Sequence, residues 1–253
     1  MATEFISNSW LMPTNANAEA NRVSNYSLDF DSASSQYLNF GTSLGDSIGD
    51  NYTDSISFSL WFKANTTTGD DGLIWWSSSS PSNGELSVWI QSNNINVQMY
   101  GGSTQSYSFT DTSNWHHLVI TLKPSGSKMY LDNIDTGLSW TYSDLDVDNN
   151  TLYIGTYYST SYTFDGNITE ASVFDYELSS SQVTELYGTG SAIGNPMAIT
   201  NGRKPVAYYP LSNSGFNSEF LVPNGAEQDF VFDFDASNYI STPHISISGG
   251  FTA

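Results

Sequence analysis

The chain of 253 residues has no cysteine, six lysines and arginines against 26 acidic residues, three histidines, and no apolar run of membrane-spanning length. Each absence removes a class of explanation. Without cysteine there is no thiol nucleophile, disulfide staple or thiolate-held zinc, so stability must come from core burial or from a bound cation. A formal charge of -20 leaves no basic surface to neutralise phosphates, which argues against a nucleic-acid partner. The apolar stretches are too short for a helix to insert in a membrane. The N-terminal MATEFISNSWLMPTNANAEA has neither a basic start nor a continuous apolar segment, and it is not read as a signal peptide. The acidic excess reads first as a solvated face that resists self-association, and second as a field that attracts divalent cations.

Ser, Thr, Asn, Gly and aromatic residues are abundant, as in exposed strands joined by many turns. The stretch WHHLVITLKPSGSKMYLDNIDTG from Trp115 alternates apolar and polar residues around the turn Pro124-Ser125-Gly126, with Leu118, Ile120 and Leu122 on one face. That pattern predicts a β-hairpin. Further strands are expected at Tyr26 to Phe30, Tyr37 to Phe40, Ile56 to Lys63, Leu73 to Ser77, Glu85 to Gln91, Ile95 to Tyr100, Ser106 to Thr110, Leu152 to Gly155 and Asn167 to Asp175. Within Ile56 to Phe62, alternation puts Ile56, Phe58, Leu60 and Phe62 in the core, and Trp61 joins them if both faces are covered. Ser179 followed by Gln182, then Val183, Leu186, Tyr187 and Gly188, marks one short capped helix. The whole predicts an all-β, two-sheet antiparallel sandwich with one short C-terminal helix.

The order of Trp115-His116, Leu152 to Gly155, Phe164 to Glu170 and Leu178 to Tyr187 resembles the laminin-G-like, concanavalin-A-like jelly-roll family. YSLDFDSASSQYLNF from Tyr26 looks like that family's first hairpin, and SISFSLWFK from Ser55 like its next strand. The resemblance covers about Val23 to Gly188 and divides the chain into an extension over 1–22, a jelly-roll domain over 23–188, a linker over 189–203 and a segment over 204–253. Signal-less copies of this domain occur in structural proteins of marine tailed phages, so the resemblance implies a virion or extracellular surface location. Fold alone does not assign function, because jelly rolls serve as binding modules, spacers and enzymes.

The last segment repeats the first. FVFDFDASNYIST from Phe230 echoes the hairpin at Tyr26, and VAYYPL from Val206 looks like the family's opening strand. A second jelly roll therefore begins here. Three accounts stay open: truncation of a longer tandem, folding back on the first domain, or strand donation to a neighbouring chain in a homo-oligomer.

Glycosidases on this fold carry a Glu-x-Asp-x-x-Glu strand, and none occurs here, so no catalytic residue is assigned and a glycoside hydrolase is a distant alternative. Asp29 and Asp31 share a strand face, but the pair recurs as Asp233 and Asp235, which suits a fold element. His116 and His117 belong to a strand start. The run Asp144 to Asn150 opens like an EF-hand loop but lacks the central glycine, and its twelfth position is Gly155. The family resemblance instead implies a calcium ion near Asp29, Asp31, Asp165 and Glu170, with turn and backbone contacts as the bland alternative.

Aromatic residues supply the binding candidates. Trp75, Trp76, Trp89, Trp140, Tyr142, Tyr157, Tyr158 and Tyr162 fall at strand ends or loops, where flat rings stack on sugars. Alternation sends about half of such a set to the core. The ligand set expected is Trp76, Trp140, Tyr142, Tyr157, Tyr158 and Tyr162. The function expected is a non-catalytic carbohydrate-recognition or adhesion module that binds a host-surface polysaccharide and contacts other virion or surface subunits. The alternative is a structural or decorative assembly module with no sugar ligand.

Overall fold

The computed structural model describes residues 27–49, 52–77, 84–99, 101–142, 145–189 and 193–211. The expected extension over 1–22, Asp144 of the acidic run and the repeat hairpin at Phe230 lie outside them.

Two sheets face each other. One has seven strands, in the order β1 (Leu28–Phe30), β14 (Gly166–Phe174), β3 (Ile56–Ala64), β8 (His116–Leu122), β9 (Ser125–Leu131) and β10 (Ile134–Thr141), with β15 (Ala207–Tyr209) also on β14. The other has eight, running β12 (Thr156–Tyr157), β13 (Ser159–Thr163), β4 (Asp71–Ser77), β5 (Gly84–Gln91), β6 (Asn94–Met99) and β7 (Gln105–Ser108), while β11 (Thr151–Ile154) pairs with both β4 and β2 (Leu38–Asn39). All pairings are antiparallel except β13 with β4. This is the two-sheet sandwich the alternation predicts.

Period-2 patterning explains the interior. Phe58, Leu60, Phe62, Leu118, Ile120 and Ile168 of the seven-stranded sheet meet Ile74, Trp76, Val88, Ile90, Val97 and Ile154 of the other in one buried cluster. Each large side chain fully buried there contributes about 1.5–3 kcal/mol. A second cluster lies outside the seven-stranded sheet, where Val183 and Leu186 of helix α2 (Ser180–Tyr187) pack with Val119, Tyr130, Phe174, Leu178 and Ile199. Helix α2 starts in a capping box, with Ser179 accepting from the Gln182 N–H and Gln182 accepting from the Ser179 N–H at 2.8 Å. Because this helix covers the outer face, β8 is buried along its whole length, and Trp61 stacks on both His117 and Tyr187 with ring centroids 5.0 and 5.5 Å away.

Besides β12 and β13, which form where no strand is expected between Gly155 and Asn167, three further elements depart from the sequence expectation. The strand β10 reads IDTGLSWT, whose glycine and polar start suggest loop, yet the turn Asp132-Asn133 has φ of 51° and 66° and returns the chain along β9 as a hairpin. A short helix α1 (Ser43–Ile48) forms where no periodicity announces it. Residues 193–203, expected as linker, are packed: Asn201 O accepts from Gln182 Nε2 at 2.7 Å, Arg203 pairs with Asp175 at 3.1 Å, and the chain runs on into β15. Among the described residues no helix is long and apolar enough to cross a membrane.

Candidate functional site

The chemistry gathers on the outer face of the eight-stranded sheet. In β5, Leu86, Val88 and Ile90 point into the core, which sends Trp89 and Gln91 outward. Opposite Trp89 on β4 stands Gly72, whose lack of a side chain lets β12 approach: a Cβ there would collide with the backbone of Thr156 and Tyr157. The Tyr157 ring consequently lies flat on Trp89, centroids 4.8 Å apart and planes within 3°. The turn between β12 and β13 passes through Tyr158 at φ 58°, and it brings Tyr162 to 5.3 Å from Tyr157 and Tyr158 to 6.1 Å from Tyr162. Tyr158 is 47% exposed, while Tyr157 and Tyr162 are half-buried. The result is a stepped aromatic surface rooted on Trp89.

Polar groups border the rings. Trp89 Nε1 donates to Gln91 Oε1 at 3.3 Å, Gln91 Nε2 donates to Asp70 Oδ1, and the Tyr157 hydroxyl donates to the same oxygen at 3.3 Å. Burial, reinforced by the Asp70 charge, raises the Tyr157 hydroxyl pKa well above its ordinary value, so it stays a neutral donor. Behind Asp70 sits Asp71, 3% exposed, with Oδ2 unpartnered. Burial, then the charges of Asp165 and Asp70, push its pKa up to about 7. Along the same outer face Trp75 stacks on Tyr153 at 4.8 Å and Tyr153 meets the tilted Tyr37 ring at 6.0 Å, with Trp75 Nε1 buried without a partner.

The expected ligand residues divide. Tyr157, Tyr158 and Tyr162 come together in one group. Trp76 does not join them: it is buried between the sheets, edge-on to Phe58, and its Nε1 donates to Asn150 O at 3.3 Å. The alternation rule separates Trp75 from Trp76, and Trp75 is the one that faces outward. Trp140 lies on β10, in the other sheet, half-buried against the core, and Tyr142 just beyond it donates to Asp54 O at 3.0 Å. Neither touches the tyrosine group.

The four expected calcium ligands do not converge. Asp31 caps a 3-10 turn, accepting from Ala33 N–H at 2.9 Å and the Ser34 hydroxyl at 2.7 Å. Asp29 accepts from Asn167 at 3.3 Å and Asp165 from Asn65 at 3.0 Å. Glu170 is buried and accepts the Tyr208 hydroxyl. Among the described residues no three histidines or acids gather as a metal site, and the expected set does not fit the ion.

The two adjacent histidines are structural. His116 Nδ1 pairs with Asp132 at 2.7 Å. His117 Nε2 lies 2.8 Å from Ser59 Oγ, but both are buried beneath Trp61, and burial holds the His117 pKa down at about 3. That serine–histidine pair has no substrate access. The expected site set does not include Asp70, Asp71, Gln91 or Tyr153. They reach the outer face from three separate segments, the pair Asp70-Asp71 at the start of β4, the end of β5 and β11, a proximity that no local spacing signals.

The family model described as the concanavalin A-like lectin/glucanases superfamily matches residues 31–184. No curated protein matches the chain. Similar solved structures include domain 4 of AbnA, a GH43 extracellular arabinanase from Geobacillus stearothermophilus in complex with arabinotriose, at 18% identity over 54% of this chain and 68% of that one, TM-score 0.43. The heptameric SAP-like pentraxin of Limulus polyphemus shares 14% identity over 69% and 85%, TM-score 0.47. The Ruminococcus gnavus IT-sialidase CBM40 shares 8% over 62% and 94%, TM-score 0.49.

Proposed function

The chain belongs to the concanavalin A-like lectin/glucanases superfamily, and from that premise we propose that it is a non-catalytic glycan-recognition module of a virion or other surface structural protein, reading a neutral sugar on the Tyr157–Tyr162 surface. The observation that carries this reading is the parallel Tyr157–Trp89 stack, stepped outward through Tyr162 and Tyr158. Rings held from behind lose little freedom on binding and offer flat apolar faces to the C–H face of a pyranose. Asp70 and Gln91 at the border supply acceptor and donor groups for sugar hydroxyls. Charge supports the choice of a neutral ligand. None of the eight strands of that sheet, as described, contains Lys or Arg, whereas Asp70, Asp71 and Asp165 sit together beside the platform. A carboxylated or sulfated sugar would meet like charge there.

The test is an array of neutral, amino, sialylated and uronic glycans probed with the whole chain and with Tyr157→Ala and Tyr162→Ala. Neutral-sugar binding lost in both variants supports the reading; silence across the array, or binding that survives both substitutions, refutes it. A purely structural role is the competing reading. It is favoured by the way residues 206–211 are built into the sheet, and it predicts silence.

A further inference from the structure

The strand β15 lies on the wrong side of a repeat boundary. By sequence, Leu28-Asp29-Phe30-Asp31 corresponds to Phe232-Asp233-Phe234-Asp235, and upstream of these Ile6-Ser7-Asn8-Ser9 corresponds to Leu211-Ser212-Asn213-Ser214. Residues 207–211 therefore open the second copy, in the place that residues 2–6 hold in the first. In space they complete the first copy: Ala207, Tyr208 and Tyr209 pair with Val173, Ser172 and Ala171 of β14, on the edge whose other half is taken by β1 at residues 166–168.

From this juxtaposition we infer that the segment which by sequence opens the second repeat is a clasp that closes the sheet of the first, within one chain. The contacts are those of a built acceptor. Val206 N–H donates to Val173 O at 2.8 Å, Glu170 N–H donates to Pro210 O at 3.3 Å, and the Thr169 hydroxyl donates to the same oxygen at 2.8 Å. At the junction between the two half-edges β14 is irregular, and Glu170 takes φ 54°. That conformation is disfavoured for glutamate, and here it holds a buried carboxylate against the Tyr208 hydroxyl. Tyr209 stacks on Phe40 at 3.8 Å, and Ala207 and Leu211 pack on the main core. Residues 2–6 are no substitute, because they read Ala-Thr-Glu-Phe-Ile. Thr3 in place of Tyr208 is too short to reach Glu170, and Glu4 in place of Tyr209 would bring a second carboxylate to the aromatic contact. The acceptor edge thus discriminates between the two copies of the opening segment.

The chain has no cysteine, which makes disulfide trapping clean. Val173→Cys with Ala207→Cys in the full chain should close on mild oxidation into an intrachain bond in a monomer. Cross-links formed chiefly between chains, or none, would overturn the proposal. Amide hydrogen exchange on chains without cysteine gives an independent reading. The Val206 and Glu170 amides should exchange at least a hundredfold slower than in a free peptide, and Tyr208→Phe should speed both at least tenfold while Val119 and Ile120 stay protected, since a buried hydrogen bond that holds the strand is lost. Free-peptide rates at Val206 in the unmodified chain, or no acceleration in Tyr208→Phe, would equally overturn it.

Discussion

Replacing Asp71 by Asn should stabilise the protein, and by an amount that depends on pH. The Asp71 carboxyl is 3% exposed, one of its oxygens has no partner, and its pKa rises from 3.8 to about 7 through burial and then repulsion from Asp165 and Asp70. A folded pKa above the unfolded one means that the folded state holds the proton more tightly. Stability is therefore full below the unfolded value and is lost as pH rises through about 7. At about 1.36 kcal/mol per pH unit the full loss would be about 4 kcal/mol, and solvent screening at the sheet rim reduces it to about 2 kcal/mol. Asn keeps an oxygen to accept the Asp165 backbone N–H and carries no charge. At pH 8, in EDTA so that no cation compensates the charge, Asp71→Asn should therefore gain about 2 kcal/mol by urea denaturation, or about 4–8 °C in Tm for a domain of this size. At pH 5, still above the isoelectric point of about 4.1, less than half of that gain should remain. A variant less stable than the parent at pH 8, or one whose advantage is the same at both pH values, would refute the reasoning.

Gly72→Ala should push β12 off β4, cost about 1–3 kcal/mol through overpacking, and remove glycan binding while the spectroscopic signature of the sandwich persists; undiminished binding would show that the platform does not depend on that close approach. Ser179→Ala should lower stability by about 1 kcal/mol in urea denaturation by breaking the capping box, and an unchanged midpoint would disprove the role of the cap. His117, held neutral by burial with a pKa of about 3, should show no imidazole titration by NMR between pH 8 and pH 5. Because its folded pKa lies below the ordinary 6.5, its contribution to stability is present above that value and is lost as pH falls toward 3, so an NMR midpoint above 6 would contradict the burial.

Local periodicity made the sandwich legible. Alternation along Ile56 to Phe62 and Leu118 to Leu122 marked the core faces, and Ser179 with Gln182 marked the one capped helix, because a strand's two faces and a helix's first turn are set within a few residues. The strand β10 escaped because its partner and the turn Asp132-Asn133, rather than its own apolar content, hold it in place. The binding surface was only half legible. Tyr157, Tyr158 and Tyr162 announce themselves as a cluster in a short segment, but alternation says only that Trp75 and Trp76 face opposite ways. Which of them faces the core depends on the sheet opposite, and that sheet takes Trp76. Trp89 under Tyr157, and Asp70 between Gln91 and Tyr157, are meetings of segments 21 to 87 residues apart that arise only when Gly72 lets two strands close up. Local sequence pattern set most of the sheet-forming strands, the capped helix and the acidic excess. That residues 206–211 join the sheet and do not stand free as a linker was decided by tertiary pairing, because the edge of β14 beyond β1 needs backbone partners and these residues provide them, with the Tyr208 hydroxyl on Glu170.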